Sequence, residues 1–279
     1  MAALHDAERA LPVKLFETRP GRAVAVHSRV AGPSRPLVFF VHGSMATLLQ
    51  WSAQIDAVEA GGYDAVAFDW MGCGRSPKPE GWENYTPDAL YADLAAAFDA
   101  YARGRRVALV AHSYGCDLAL RLAAARAEAI SRIVLMSPAE AMPRMPLTIF
   151  RLPQRVLEWM QPSLSASFEA AAIADAEATP AAAKLCAAIN GANAMHVCKA
   201  YYRQVELRAD PRAVRAPTLV LAGAEDAVIP PAASERVAAS LPSAHFALVP
   251  RTSHQLMMEA PDAVSGLVLD FLTRGTADG

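Results

Sequence analysis

Val107-Ala-Leu-Val-Ala-His-Ser113-Tyr-Gly115-Cys-Asp-Leu-Ala-Leu120 is the stretch that decides how this chain is read. An apolar run passes straight into an amphipathic one, with a serine at the join. The first half suits a strand buried on both faces, the second half a helix. So tight a strand-to-helix turn forces the serine into a strained backbone conformation and holds its hydroxyl above the sheet, at the amino end of the helix. Residues two places either side must be small, because strand and helix approach closely there. They are Ala111 and Gly115. The usual pattern at such a turn is G-x-S-x-G, from which Ala111 departs by one methyl group. The plainer alternative is a serine that only caps a helix. Cys116 falls inside the helix and reads as packing.

Similar apolar runs lie on both sides. Pro36 to His42, Tyr63 to Asp69, Ser131 to Ser137, Ala216 to Gly223 and Ala244 to Pro250 are continuous rather than alternating, as parallel strands are. Val13 to Thr18 and Arg22 to Val30, joined by Pro20-Gly21, predict a hairpin at the start. Helical stretches separate the runs. In the clearest, Thr86 is a good N-cap and Pro87 suits the first helical position. Asp88 sits at the positive end, Leu90, Leu94, Ala97, Phe98 and Tyr101 recur at helical spacing, and Gly104 closes the helix. The alternation predicts an α/β chain with a parallel sheet and helices on both faces. From about Ala139 to Arg208 no strand is evident; the region is Ala-rich, punctuated by proline and carries bulky apolar residues. It reads as a helical cap inserted over the carboxyl ends of the strands, where open α/β sheets bind ligands. The expected division is core 1–138, cap 139–208 and core 209–279.

A serine attacking an acyl group creates an oxyanion, which backbone N–H groups stabilise; loss of one donor costs about 2.7–4 kcal/mol in the barrier. One donor is expected from Tyr114, after the serine. The other is expected from the loop His42-Gly43-Ser44-Met45, with Ser44 preferred and Met45 next. Seven histidines compete as base. His254 fits best, because it follows the last apolar run after a short loop. His245 begins that run and belongs at the opposite edge. His112 adjoins the serine, but strand alternation points its side chain away. His42 reads as loop-shaping, and His5 and His27 lie in the N-terminal arm. The acid that orients the base is expected after the preceding run. Asp226 is favoured, since Val228, Ile229 and Pro230 would seat its loop; Glu225 is the near alternative and Glu140 a distant one. A turn-forming role is the plainer reading of Asp226. Asp69 to Pro77 contains GxG but lacks the third glycine of a dinucleotide loop, and Pro77 and Pro79 block the helix that should follow. It reads as a tight loop supporting the site. Met45, Met142, Trp159 and His196 are candidates to line a substrate pocket, as are Tyr201 and Tyr202; packing of the insertion onto the core is an equal reading for each.

With 279 residues the chain can form one large domain, or a core plus a small insertion. Apolar residues make up 53% and charged residues 19%, which excludes a disordered tail. Lys plus Arg number 26 against 28 Asp plus Glu, so the balance points to neither nucleic acid nor an anionic membrane as partner. Cys73, Cys116, Cys186 and Cys198 are far apart and form no CxxC pair. They read as free, largely buried thiols in a reducing compartment, not as a zinc site. The N-terminus lacks the basic start and apolar run of a signal peptide, and no stretch approaches the roughly 20 apolar residues of a membrane span. The expectation is a soluble cytoplasmic protein, with monomer and homodimer both open.

Taken together, His42-Gly43-Ser44, Asp69-x-x-Gly72-x-Gly74-x-Ser76, Ala111-His112-Ser113-Tyr114-Gly115, Gly223-x-x-Asp226-x-x-x-Pro230 and Ser253-His254-x-x-x-x-Glu259-x-Pro261 resemble the α/β-hydrolase superfamily along nearly the whole chain. The abhydrolase-domain branch, with His-Ser-Tyr-Gly at the turn and a helical cap, is most similar. The order Ser113, Asp226, His254 matches that of the fold. The resemblance implies an eight-stranded, mostly parallel sheet and no cofactor. Relatives that open epoxides or remove halogens use aspartate, so a serine nucleophile implies acyl chemistry. The expected activity is hydrolysis of a small-molecule carboxylic ester or related acyl bond, with a hydrophobic substrate suggested by the apolar insertion. Carbon–carbon bond hydrolysis or acyl transfer at the same residues, and a non-enzymatic ligand-binding module, are the alternatives.

Overall fold

The apolar runs read from the sequence form one eight-stranded sheet in the computed structural model, which describes residues 8–141 and 147–274. The strands are β1 (Lys14–Arg19), β2 (Arg22–Arg29), β3 (Leu37–Val41), β4 (Asp64–Asp69), β5 (Val107–His112), β6 (Ile130–Met136), β7 (Thr218–Gly223) and β8 (Ala244–Val249). Their order across the sheet is β1-β2-β4-β3-β5-β6-β7-β8. The first two form the expected hairpin, β2 pairs antiparallel with β4, and every later pairing is parallel. Chain order reverses at β3, which has β4 on one side and β5 on the other. That is the switch point at which open α/β sheets form a crevice. The carboxyl ends of β3 to β8 all lie on one edge, because these strands run in the same direction.

Burial on both faces explains the continuous apolar runs of β3 to β7, whereas β8 at the sheet edge is only partly covered, with Leu248 50% exposed. In β3, Leu37, Phe39 and Val41 enter one core while Val38 and Phe40 enter the other. Val107, Leu109 and Ala111 divide from Ala108 and Val110 in the same way along β5. Each large side chain so buried contributes about 1.5–3 kcal/mol. The helices covering the two faces are α1 (Ser52–Ala60), α2 (Pro87–Ala102), α3 (Tyr114–Ala125), α4 (Gln154–Ala172), α5 (Pro180–Gly191), α6 (Met195–Tyr202), α7 (Pro231–Ser240), α8 (Leu256–Glu259) and α9 (Pro261–Thr273). The Thr86 hydroxyl caps α2 by accepting the Ala89 N–H. The left-handed turn ending α2 starts one residue before the expected glycine, at Arg103 with φ 44°. Between β6 and β7 the described residues are helical, comprising the 3₁₀ segment Leu147–Arg151 and then α4, α5 and α6. No described helix is long and apolar enough to cross a membrane.

Buried polar groups fix the loops at the sheet edge. At the end of β4, Asp69 accepts the Leu48 N–H at 2.7 Å and the Arg75 N–H at 2.9 Å. Its backbone carbonyl accepts the Ser76 hydroxyl at 2.5 Å. Burial raises the Asp69 pKa to about 6 against the opposing effect of those N–H bonds. At the end of β3, His42 donates from Nδ1 to the Gly43 carbonyl at 2.8 Å, which leaves Nε2 to accept the Trp70 N–H at 3.1 Å. Its ring stacks on Trp70 with centroids 4.8 Å apart. Burial lowers the His42 pKa to about 4 and keeps the ring neutral. The Asp69 to Pro77 stretch is thus the supporting loop read from the sequence.

Two predictions follow from these contacts. A Cβ on Gly115 would lie 2.5 Å from the His42 carbonyl oxygen and 2.7 Å from that of Val41, both rigid backbone. Gly115→Ala is expected to lower stability by about 1–3 kcal/mol in urea unfolding. Gly266, exposed on α9 with nothing near its Cβ position, serves as contrast: Gly266→Ala is expected to raise stability by about 0.5–1 kcal/mol. The second prediction concerns pH. An unfolded histidine takes up its proton near pH 6.5, whereas folded His42 does so only near 4, so His42 loses stability for the protein as pH falls through that window. Asp69 acts oppositely, since its folded form protonates near pH 6 and the unfolded form near about 4. Between pH 6.5 and 4, His42→Asn should therefore lose less stability than the wild type and Asp69→Asn more. Urea midpoints measured across that range test both signs.

Candidate active site

At the end of β5 the chain turns into α3 through a single strained residue. Ser113 has φ 52° and ψ −127°, a conformation costing a non-glycine residue about 1–3 kcal/mol. Its N–H donates to the Met136 carbonyl at 2.9 Å, and its carbonyl accepts the Cys116 N–H at 2.9 Å. The neighbouring strand and the first turn of the helix thus hold the bend from both sides. The Tyr114 N–H, at the first position of α3, has no acceptor inside the helix. Cys116 is buried and packs, with the other three cysteines also buried and free.

His254 Nε2 lies 3.1 Å from Ser113 Oγ, and His254 Nδ1 lies 2.9 Å from Asp226 Oδ2. A carboxylate can only accept, so Nδ1 carries the proton and Nε2 presents its lone pair to the serine hydroxyl. Asp226 Oδ1 accepts the N–H groups of Val228 and Ile229 at 2.9 and 2.8 Å, which seats the loop as the sequence suggested. Burial works to raise the Asp226 pKa. The adjoining His254, the Ile229 N–H and the Ser137 hydroxyl outweigh it and hold the carboxylate below its usual range. The alternatives lie elsewhere: Glu225 is exposed and Glu140 pairs with Arg236 at 2.6 Å.

Sequence reasoning missed three supports of this line. Ser137, at the end of β6 with φ 49°, donates its hydroxyl to Asp226 Oδ2 at 2.8 Å. Its only sequence signal is a serine just past a strand. His112, expected to point away, lies beside the base: its Nε2 donates to the His254 carbonyl at 2.9 Å and the two rings are 4.6 Å apart. Alternation does direct it to the face opposite α3, but that face carries α8 and the His254 loop. Burial pushes the His112 pKa well below that of a free imidazole. The third support is Glu259, which accepts the Ser253 N–H at 2.9 Å and the Ala174 N–H at 2.7 Å. Beside it the Ser253 hydroxyl donates to the Ala171 carbonyl and the Gln255 N–H to that of Ala172. The C-terminal end of α4 is thereby tied to the loop that carries His254.

On the other side of Ser113, the Ala46 N–H bonds to the Gly43 carbonyl at 3.3 Å, a turn that leaves the Ser44 and Met45 N–H groups outside its own bond. Met45 has φ 50°, and Asn193 Nδ2 donates to its carbonyl at 2.9 Å. The Ser44 and Tyr201 hydroxyls are 2.7 Å apart. A cleft opens above these groups in two lobes that share Ser44, Phe168 and Tyr202. The first contains Ser113, His254, Tyr114 and Asp117. The second is lined by Met45, Ile149, Phe150, Leu164 and Met195, mostly from the helical segment.

Of the expected lining residues, Met45 and Tyr202 are in the cleft. Three are not. Tyr201 is fully buried and lines neither lobe, its hydroxyl meeting that of Ser44. Trp159 is 81% exposed, because the face of α4 that turns inward carries Leu157, Leu164 and Phe168 instead. His196 is turned away to the Lys78 carbonyl, 3.0 Å from its Nε2. Met142 and His5 lie outside the described residues. His27 is bonded to the Pro12 carbonyl in the N-terminal arm, and His245 begins β8 as expected.

Comparison with known proteins agrees with this architecture. A family model described as Serine aminopeptidase, S33 matches residues 32–261. Protein ABHD8 of Mus musculus is 30% identical over 247 residues, covering 85% of this chain and 55% of that protein. The chain therefore spans about half the length of that relative. Among solved structures, a hydrolase from Pseudomonas aeruginosa PA01 is 27% identical with a TM-score of 0.78, over 94% of this chain and 98% of that one. The enol-lactonase from Burkholderia xenovorans LB400 shares the fold, with a TM-score of 0.76 at 22% identity over 90% and 97% of the two chains. With its family match running from β3 past α8 and its eight-stranded sheet, the chain belongs to the α/β-hydrolase superfamily, in the family of Serine aminopeptidase, S33.

Proposed function

We propose that this hydrolase cleaves a carboxylic ester or related acyl bond through an acyl-enzyme on Ser113. The observation that carries the reading is the line Asp226–His254–Ser113, with separations of 2.9 and 3.1 Å and the serine on a strained bend. In this reading His254 takes the Ser113 proton as the hydroxyl attacks the acyl carbon, then returns it to the leaving group. Asp226 holds the imidazole tautomer and stabilises the imidazolium. The Tyr114 N–H and that of Ser44, with Met45 as alternative, receive the oxyanion. Water, activated by His254, then releases the acid. The helices between β6 and β7 act as a cap, and the apolar lobe beneath them takes the hydrophobic part of the substrate. Serine at the position where an epoxide-opening enzyme needs a carboxylate favours acyl chemistry over epoxide opening.

Short p-nitrophenyl esters with a chain-length series test this. Ser113→Ala is expected to lower kcat by about 10⁴-fold or more and to abolish labelling by a fluorophosphonate probe. Asp226→Asn should lower kcat by about 10⁴-fold while leaving the fold intact, because the amide would present its N–H to Nδ1 and select the wrong tautomer. Full turnover by Ser113→Ala would overturn the proposal. Accumulation of a new ester when an alcohol is supplied would redirect it to acyl transfer.

A further inference from the structure

Seven large apolar side chains are exposed among the described residues, and three of them fall in one short stretch: Leu152, Val156 and Trp159. Val156 and Trp159, three residues apart, form an apolar stripe on the outward side of α4, and Leu152 is exposed just ahead of the helix, before Pro153. Trp159, at 81% exposed, is the extreme case, since a side chain of that size normally buries most of its surface. On the inward side of the same helix Leu157 is fully buried. Cations lie beside the exposed residues. Arg151 and Arg155 are exposed on the same stretch, and Lys199 of α6 reaches across to the Leu152 carbonyl at 2.8 Å. Just past the end of α6, the Arg203 guanidinium lies 4.0 Å from the ring centre of Trp82, a second exposed tryptophan. The acid on this part of α4 is Glu158, which accepts from the Gln154 amide. This local excess of positive charge stands on a chain whose formal net charge is −2.

We infer that the face formed by Leu152, Val156 and Trp159, ringed by Arg151, Arg155 and Lys199, docks on a lipid surface bearing anionic headgroups. An exposed tryptophan suits the boundary between headgroups and acyl chains, and flanking arginines meet the negative surface. A protein partner with an acidic rim would use the same charges, but the one-sided stripe, apolar along a helix and basic at its borders, is the pattern of a helix lying in a membrane interface. The opposite side of α4 contributes Leu164, Ser165 and Phe168 to the apolar lobe of the cleft. An acyl chain leaving the bilayer would thus reach the cleft across roughly the 10 Å width of one helix. This deepens the ester-hydrolase reading by naming the source of a hydrophobic substrate, and it rests on that reading for nothing else.

The test is co-sedimentation with vesicles of phosphatidylcholine alone or mixed with phosphatidylglycerol, at low and high salt. Wild type and Ser113→Ala should bind the anionic vesicles equally and more weakly at high salt, which separates docking from catalysis. Trp159→Ala should weaken binding roughly tenfold, and the pair Arg151→Glu with Arg155→Glu should abolish the preference for anionic lipid. All variants should turn over a soluble short-chain ester as the wild type does, which controls for folding. Absence of binding, binding indifferent to Trp159→Ala, or a dimer that Trp159→Ala converts to monomer would each overturn the inference. The last outcome would assign the face to a second copy of the chain.

Discussion

The site depends on a backbone that cannot relax. Ser113 sits at a φ that side chains disfavour, and the bend persists because its surroundings over-determine it. Met136 takes its N–H, Cys116 closes the first turn behind it, and α3 is drawn so close to the end of β3 that position 115 has no room for a methyl group. The cost of one strained residue is small beside two cores that bury both faces of the sheet. Rigidity there gives the hydroxyl a fixed place. Without it the imidazole, 141 positions further along the chain, would have nothing definite to meet.

Electrostatics around that hydroxyl follow from who is buried with whom. Asp226 lies deep, yet it stays ionised because donors converge on both its oxygens and an imidazole faces it. His42 and His112 are buried without a carboxylate partner and remain neutral. Of these three buried histidines, only His254 faces a carboxylate. His42 and His112 instead spend their N–H groups on carbonyls, of Gly43 and His254 respectively, and so set the positions of the loop and of the base.

Much of this was legible in the sequence, and the reason is periodicity. Strands buried on both faces, as β3 to β7 are, write continuous apolar runs, and all eight strands fall within a residue or two of the runs read for them. Ser113, Asp226 and His254 were readable because each follows such a run, and parallel strands bring their ends to one edge. Ser137 and Glu259 were not, since a serine or glutamate after a strand carries no local mark of the distant group it will bond. His112 was misread because alternation tells which face a side chain takes, not what lies upon that face. Trp159 and His196 were misassigned for a related reason: bulky residues in a helical insertion have two sides to choose from, and composition does not say which side is inward. Cap boundaries and substrate preference are not written in periodicity at all.

The ties at the C-terminal end of α4 have a mechanical consequence. Glu259 joins Ser253 to Ala174, and the flanking bonds to Ala171 and Ala172 complete the attachment. Lifting that end would break several hydrogen bonds, each worth about 1 kcal/mol, and would drag the imidazole off its line. A shift of α4 would therefore be felt at the imidazole, and the opposite end of the helix is held as well: Leu157 is fully buried and Lys199 donates to the Leu152 carbonyl at 2.8 Å.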